Sequence, residues 1–172
     1  MQEDIRIRIA NSENLNALTH LAAAFRDGLS RVVPPDEDLR QSIDFLLGDK
    51  LTEFFLAVDG DERCVGYIQQ RYRYSAWLSA LEAYLEDLFV IPEARRRHVG
   101  LGLAEFAIAR AAAKGCRLIE LNTNEGNGAA VALYKRLGFL CERECWKGGR
   151  QLWFDKALLS KAANNSFNRT AS

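Results

Sequence analysis

Tyr84-Leu85-Glu86-Asp87-Leu88-Phe89-Val90-Ile91-Pro92, followed by Arg95-Arg96-Arg97-His98-Val99-Gly100-Leu101-Gly102, decides the fold. The first run is an apolar strand interrupted by two carboxylates and stopped by a proline. The second is a basic, glycine-bearing turn that opens an alanine-rich helix ending near Lys114 and Gly115. A second strand follows from about Arg117 to Asn122, then a loop over Asn124 to Gly128. A short helix from Ala129 to Arg136 is closed by Gly138. A helix start offers unpaired N–H groups and the positive end of the macrodipole, so a basic turn leading into one suits an anion. The stretch from Tyr84 to Phe139 therefore points to a phosphorylated ligand.

Outward from there the chain alternates helix and strand signals. Ile5, Ile7 and Ile9 alternate with polar residues as in a half-buried strand. Ser12 reads as the N-cap of a helix from about Glu13 to Leu29, with Leu15, Leu18, Ala22 and Phe25 inward. Pro34-Pro35 breaks the chain. Asp36 opens a second helix that buries Leu39, Ile43, Leu46 and Leu47 and ends at Gly48. A hairpin pairs Glu53 to Val58 with Cys64 to Tyr74 across Asp59-Gly60-Asp61. A loop with Ser75, Trp77 and Ser79 leads to a strand from about Ala83 to Ile91. The helix from Val99 to Lys114 carries Leu101, Ala104, Ile108 and Ala111 at helical spacing. Two last strands, Phe139 to Cys145 and Gln151 to Phe154, flank Gly148-Gly149. These elements make one domain over residues 1–158, with 159–172 a frayed polar tail.

Bulk properties narrow the class. At 172 residues with 48% hydrophobic and 27% charged residues, the chain fits one globular domain. A formal net charge of zero argues against general nucleic-acid binding. No apolar run approaches the ~20 residues of a membrane span, and the start, Met1-Gln2-Glu3-Asp4, lacks a signal-peptide core. Cys64, Cys116, Cys141 and Cys145 form no C-x-x-C pair, and with His20 and His98 as the chain's histidines a zinc site is not expected. Reduced thiols and a cytoplasmic location follow as expectations.

Each candidate residue has a plain structural reading beside its functional one. The Arg95–Gly102 turn is either a pyrophosphate cradle or a solvated basic turn. Glu86 and Asp87 sit in an apolar strand, where a carboxylate must be hydrogen-bonded, paired or wet. Strand alternation predicts them on opposite faces, one toward a cleft. Tyr134 is a packed aromatic or an acid, and Asn127 an N-cap or a ligand contact. No P-loop, no dinucleotide G-x-G-x-x-G and no nucleophile with a histidine partner is present.

Together these residues resemble the GNAT superfamily of acetyl-CoA-dependent N-acetyltransferases. The second half of its signature reads here Asn127-Gly-Ala-Ala-Val-Ala-Leu-Tyr134-Lys-Arg-Leu-Gly138-Phe139. The turn fits the Arg/Gln-x-x-Gly-x-Gly/Ala signature literally as Arg97-His-Val-Gly100-Leu-Gly102. Spacing from Pro92 and to Gly115 favours Arg95-Arg-Arg-His98-Val-Gly100, with His98 in place of the first glycine. Amide donation survives that change provided φ at residue 98 stays negative. A narrower resemblance, through Gly66-Tyr67, Tyr74-Ser-Ala-Trp77 and Tyr84-Leu-Glu86-Asp87-Leu-Phe-Val90, is to the polyamine, diamine and thialysine acetyltransferase branch. Residues 11–50 show no such match.

The resemblance implies a mixed, mostly antiparallel sheet flanked by helices and splayed between two adjacent strands to hold CoA. It implies a direct transfer from acetyl-CoA to the primary amine of a small cationic molecule, with no metal. Glu86 then takes the amine proton, directly or through water, and Tyr134 protonates the departing thiolate. A free N–H among Leu88, Phe89 and Val90 serves the thioester carbonyl. Arg95, Arg96, Arg97, His98, Val99, Gly100, Leu101 and Asn127 hold the cofactor, and Trp77, Tyr74 and Asp87 meet the substrate. Aminoglycoside or peptide amines stay open as acceptors, as does a homodimer. The competing class is a non-catalytic acyl-CoA-binding module. It would keep the turn but would not need Glu86 and Tyr134 together.

Overall fold

The structure, a computed structural model, describes residues 5–141. Within them lie strands β1 (Arg6–Ile9), β2 (Thr52–Val58), β3 (Cys64–Ser75), β4 (Ala80–Val90) and β5 (Leu118–Leu121). The helices are α1 (Leu15–Gly28), α2 (Asp36–Leu47), α3 (Val99–Ala113) and α4 (Gly128–Arg136). The chain divides into two compact units, Met1–Leu133 and Tyr134–Ser172.

In the first unit the strands form one sheet in the order β1-β2-β3-β4-β5. Neighbours from β1 to β4 run antiparallel, and β4 pairs with β5 in parallel. A parallel pair needs a crossover, and α3 provides it. The expected mixed α+β sheet with flanking helices is what the chain forms. On one face, Leu18, Leu21 and Ala22 of α1 and Ile43 of α2 pack on Phe54, Leu56, Val58, Tyr67 and Phe89. On the other, α3 covers the sheet. Phe106 meets Phe55 edge-on at 5.1 Å, and Ala111 packs with Tyr72 and Ala83.

Local differences from the sequence reading have local causes. Asn11, not Ser12, caps the first helical turn, its side chain accepting from the Glu13 N–H at 3.0 Å. Asn14 completes the capping box, so a 3-10 turn precedes α1. On α3 the buried residues are Val99, Leu103, Ala104, Ala107 and Ala111, so Ala104 and Ala111 of the expected set are buried while Leu101 and Ile108 are only half-buried. That helix is apolar almost all round, so periodicity does not choose a face, and its alanines permit the closest approach to the sheet. Of the strand expected over Phe139 to Cys145, the described residues 139–141 lie in no strand. The remaining strand and the expected tail lie outside the described residues.

The β3–β4 ladder contains one irregularity. Gln69 pairs with Asp87 but Gln70 pairs with Leu85, so Glu86 is an extra residue on β4, a β-bulge. The bulge inverts the alternation along the strand. Before it, Ala83 faces α3; after it, Phe89 faces α1, where it meets Phe25 at 5.5 Å. The β4–β5 ladder ends at the same place. It joins Glu82 through Leu85 to Leu118 through Leu121, while β4 continues to Val90.

Across the α3 face, Glu53 ties helix to sheet. It accepts from Arg110 at 2.6 Å, from the Tyr72 hydroxyl at 2.7 Å and pairs with Lys114 at 3.2 Å. Burial pushes its carboxyl up, but the bonds from Arg110, Tyr72 and Lys114 outweigh it and leave it below its usual value. A depressed carboxylate stabilises the fold above its unfolded pKa and loses that contribution as pH falls through the folded one. Glu53→Gln is therefore expected to cost about 2 kcal/mol at neutral pH, as one partner of a buried pair is lost. It should also shrink the fall in stability below about pH 4.5. Urea unfolding of both proteins across pH 3–7 checks this, and equal slopes would refute it.

Candidate active site

The second half of β4 has a free side. The Ile91 N–H donates to the Val65 carbonyl at 3.0 Å. Alternation then turns the N–H groups of Phe89 and Asp87 toward β3 and those of Leu88 and Val90 away from it. That outward edge has no strand partner among the described residues. Phe89, expected at this edge, is turned the other way. Its amide faces β3 and its ring is buried between Phe25 and Tyr67. Gly66 lets the strands approach, since a Cβ there would stand 2.8 Å from the Phe89 carbonyl oxygen.

The bulge also corrects the expected placement of the two carboxylates. Glu86 pairs with Arg71 at 3.2 Å, and Asp87 accepts from the Tyr67 hydroxyl at 3.4 Å. Tyr67 and Arg71 are four residues apart on a regular stretch of β3 and so share a face. Both carboxylates therefore serve the α1 face instead of opposite ones. Glu86 is 36% exposed, with one oxygen on Arg71. Asp87 is more enclosed. Burial and the neighbouring charge of Glu86 push its carboxyl up, against the Tyr67 hydroxyl and Arg31, which pull it down; the net shift is upward. Tyr67, Arg71 and Arg31 were not among the sequence candidates. The phase slip in the apolar pattern, Leu85 then Leu88 and Val90, is the signal that could have exposed the bulge.

The basic turn sits where β4 ends. Arg95 donates from Nε to the Val90 carbonyl at 3.0 Å, fastening the turn to the strand edge. Arg96 and His98 have φ of +59° and +61°, whereas Arg95 has φ −67°. Backbone that alternates hand in this way gathers successive N–H groups into an anion-binding concavity. His98 is the N-cap of α3 and makes no side-chain cap, so the first-turn N–H groups of Val99, Gly100 and Leu101 have no acceptor from that side chain. The condition set on residue 98 fails, because its φ is positive. The position that the second register gave to a glycine is indeed left-handed, and histidine occupies it. A Cβ on Gly100 would lie 3.6 Å from the Leu88 side chain and 3.8 Å from that of Val90, which sets the helix start over those two residues of β4. Val99 has its side chain in the core, so only its backbone is offered.

Asn127 caps α4, its side chain accepting from the Ala130 N–H at 3.2 Å. Trp77 is 98% exposed in the β3–β4 turn. Tyr74, 69% exposed, pairs with Leu81. It stands three residues beyond Arg71 on β3, or about 10 Å at ~3.3 Å per residue. The structure thus brings Arg71, Glu86, Asp87 and Tyr67 together and leaves Tyr74 and Trp77 at the hairpin tip. In the second unit, Gly138 at φ +85° closes the last helical turn. The Phe139 N–H reaches the Tyr134 carbonyl at 2.9 Å and the Gly138 N–H that of Lys135 at 3.0 Å. This is a Schellman cap, stapled by the Tyr134 and Phe139 rings at 5.6 Å. Burial pushes the Tyr134 phenol up. Among the described residues no cluster of three or more His, Cys, Asp or Glu could hold a metal. No described helix is long and apolar enough to cross a membrane.

The profile of the acetyltransferase (GNAT) family matches residues 16–139. The chain belongs to that family. A thialysine N-epsilon-acetyltransferase of Caenorhabditis elegans is 29% identical over 164 residues, 94% of this chain and 97% of that protein. The mouse protein of the same name is 37% identical over 84 residues, 48% of this chain and 49% of its own length. An uncharacterized N-acetyltransferase of Methanocaldococcus jannaschii is 40% identical over 76 residues, 42% of this chain and 33% of its own. The chain thus matches a third to a half of the archaeal and mouse relatives. Among solved structures, a probable acetyltransferase has TM-score 0.78 and 25% identity, covering 88% of this chain and 99% of that one. An aminoglycoside N-acetyltransferase in complex with CoA shares the fold, with TM-score 0.73 at 23% identity over 90% and 95% of the two chains.

The left-handed conformation at position 98 has a measurable consequence. A non-glycine residue there costs about 1 kcal/mol, and a β-branched one more. His98→Gly is expected to unfold at an equal or higher urea concentration, and His98→Val to lose about 1–2 kcal/mol. A wild-type midpoint for His98→Val would contradict the positive φ.

Proposed function

We propose that the chain transfers an acetyl group from acetyl-CoA to the primary amine of a small cationic molecule. The observation that carries this reading is the edge of β4 that has no strand partner among the described residues, with the Leu88 and Val90 amides on it, their side chains against the start of α3, and two carboxylates at the bulge just before it. Acetyl-CoA would supply an activated acyl thioester and an anionic pyrophosphate. The turn fits the latter. Its alternating φ values and the open first-turn amides of Val99, Gly100 and Leu101 suit phosphate oxygens, and Arg96 and Arg97 add charge. The outward Leu88 and Val90 amides suit the pantetheine and the thioester carbonyl. Asn127 contributes by fixing the start of α4.

Most of an alkylammonium group near its usual pKa of ~10.4 is protonated at neutral pH, so a base is needed. Glu86 takes that proton, directly or through water. Its bulge position turns it to the face that carries Asp87, and that pair of anions attracts the ammonium. Tyr134, whose phenol burial keeps protonated, donates a proton to the thiolate. No covalent enzyme intermediate is needed. The names of the nematode and mouse relatives support a small amine acceptor. The Glu86–Arg71 ion pair is what favours the second reading, a non-catalytic acyl-CoA-binding module.

A thiol-release assay with acetyl-CoA and a panel of diamines, lysine analogues, aminoglycosides and short peptides separates the two. Release with at least one amine is expected, and tight acetyl-CoA binding without release would support the module. Glu86→Gln should lower kcat by about 10²-fold or more with acetyl-CoA affinity kept within a few-fold. Tyr134→Phe should lower kcat in the same way, and normal turnover in both would remove the assigned roles. The acid limb of kcat/KM tells the carboxylates apart. If Glu86 is the base the limb disappears in Glu86→Gln. If Asp87 is the base the limb moves to lower pH, because the charge that raised Asp87 is gone.

A further inference from the structure

Glu86 is the extra residue of the β-bulge, so no residue of β3 stands opposite it to fix its direction. A base has to meet the proton it takes within hydrogen-bond reach and in one orientation. A long side chain on an unpaired residue does not supply that by itself, because ordering its rotamers costs entropy. Another group on the same face must aim the carboxylate. Among the described residues its partner is Arg71, whose Nη1 donates to Oε1 at 3.2 Å.

The two partners are anchored unequally. Arg71 is paired on both sides, with Thr52 of β2 and Tyr84 of β4. The next residue, Tyr72, donates its N–H to the Leu51 carbonyl at 2.8 Å. The preceding one, Gln70, is fully buried, and its Nε2 donates to the Tyr72 hydroxyl at 2.7 Å. Arg71 thus rises from a fixed stretch of backbone toward a carboxylate that the ladder leaves unplaced. Its charge also reaches Asp49. The Asp49 oxygens, however, are engaged by the Leu51 N–H at 3.1 Å and the Thr52 hydroxyl at 2.7 Å. The Arg71 and Glu86 side chains are 56% and 36% exposed. An ion pair so open to water adds little to stability, so holding the fold together is not its use. What it does fix is which oxygen is committed. Oε1 is on Arg71, and Oε2 has no partner among the described residues.

We propose that Arg71 is a positioning residue for acetyl transfer: it holds Oε1 of Glu86 and so turns Oε2 toward the ammonium of the acceptor. This rests on the reading of Glu86 as the base. The ammonium N–H bond breaks, an O–H bond forms at Oε2, and the freed nitrogen lone pair attacks the thioester carbonyl. The ion pair that favours a non-catalytic module then belongs to the catalytic arrangement.

The test measures thiol release from acetyl-CoA with the amine panel above in wild type, Arg71→Ala, Arg71→Lys, Glu86→Gln and the double variant Arg71→Ala/Glu86→Gln. Arg71→Ala is expected to lower kcat about 10-fold. KM for the acceptor should stay equal or fall, since a cation that repels the ammonium is gone. Arg71→Lys should recover part of the rate, because an ammonium can hold Oε1 without the planar fork. The double variant is the readout that a merely structural role would not move. It should turn over no more slowly than Glu86→Gln alone, because with the base gone nothing remains to aim. Wild-type kcat in Arg71→Ala, or a further loss of about 10-fold in the double variant, overturns the positioning role and leaves the reaction standing. Normal turnover in Glu86→Gln, or no release with any amine in the wild type, overturns the base assignment and the positioning role with it. The melting temperature of Arg71→Ala should match wild type, because the pair is exposed.

Discussion

A single extra residue, Glu86, divides β4 into halves that do different work. Up to Leu85 the strand is ordinary sheet, hydrogen-bonded on both sides by β3 and β5. Beyond it the strand keeps β3 and loses β5, and every side chain changes face. The apolar residues Phe89 and Val90 are the counterweight that makes this tolerable. Phe89 enters the core on the α1 side, and Val90 lies under the start of α3. Unpaired amides in a sheet are costly when buried, so an edge of this kind persists where a ligand or water can reach it.

The same event arranges the charges. Without the bulge, Glu86 and Asp87 would alternate, and one of them would point into the α3 face, where Glu53 already holds Arg110, Lys114 and Tyr72. With it, both carboxylates meet partners on one face, Arg71 and Tyr67. Burial, and after it the neighbouring charge of Glu86, raises the proton affinity of Asp87. The two faces of the sheet are thus electrostatically separate. One carries the Glu53 ion network that fastens α3, and the other carries the Glu86 and Asp87 carboxylates. Among the left-handed residues, Arg96 and His98 lie in the turn that opens α3, and Ser30 lies in the cap that ends α1.

Much of the fold was legible because it depends on local rules. Alternation in Ile5, Ile7 and Ile9, the Pro34-Pro35 break and the Asp59-Gly60-Asp61 turn each located an element within a few residues. The Tyr134–Phe139 stretch was readable for the same reason, and the structure supplies its physics: glycine allows the left-handed residue of a Schellman cap, and the two rings staple it. Asn127 was legible only as a choice between a cap and a ligand contact, and it caps.

What the sequence by itself determined was the order of elements, the mixed sheet, the basic turn before α3 and the presence of carboxylates in an apolar strand. Those follow from propensity, periodicity and turn chemistry, which act over a few residues. Only the tertiary structure decided the register of β3 on β4, where β5 stops, which face α3 presents and what surrounds Asp87. Each of these is a relation between residues far apart in the chain, such as Gln70 with Leu85, or Arg31 with Asp87. Periodicity in a single strand carries no information about its partner's register. For that reason the two carboxylates were expected on opposite faces, and the bulge that joins them came from pairing alone.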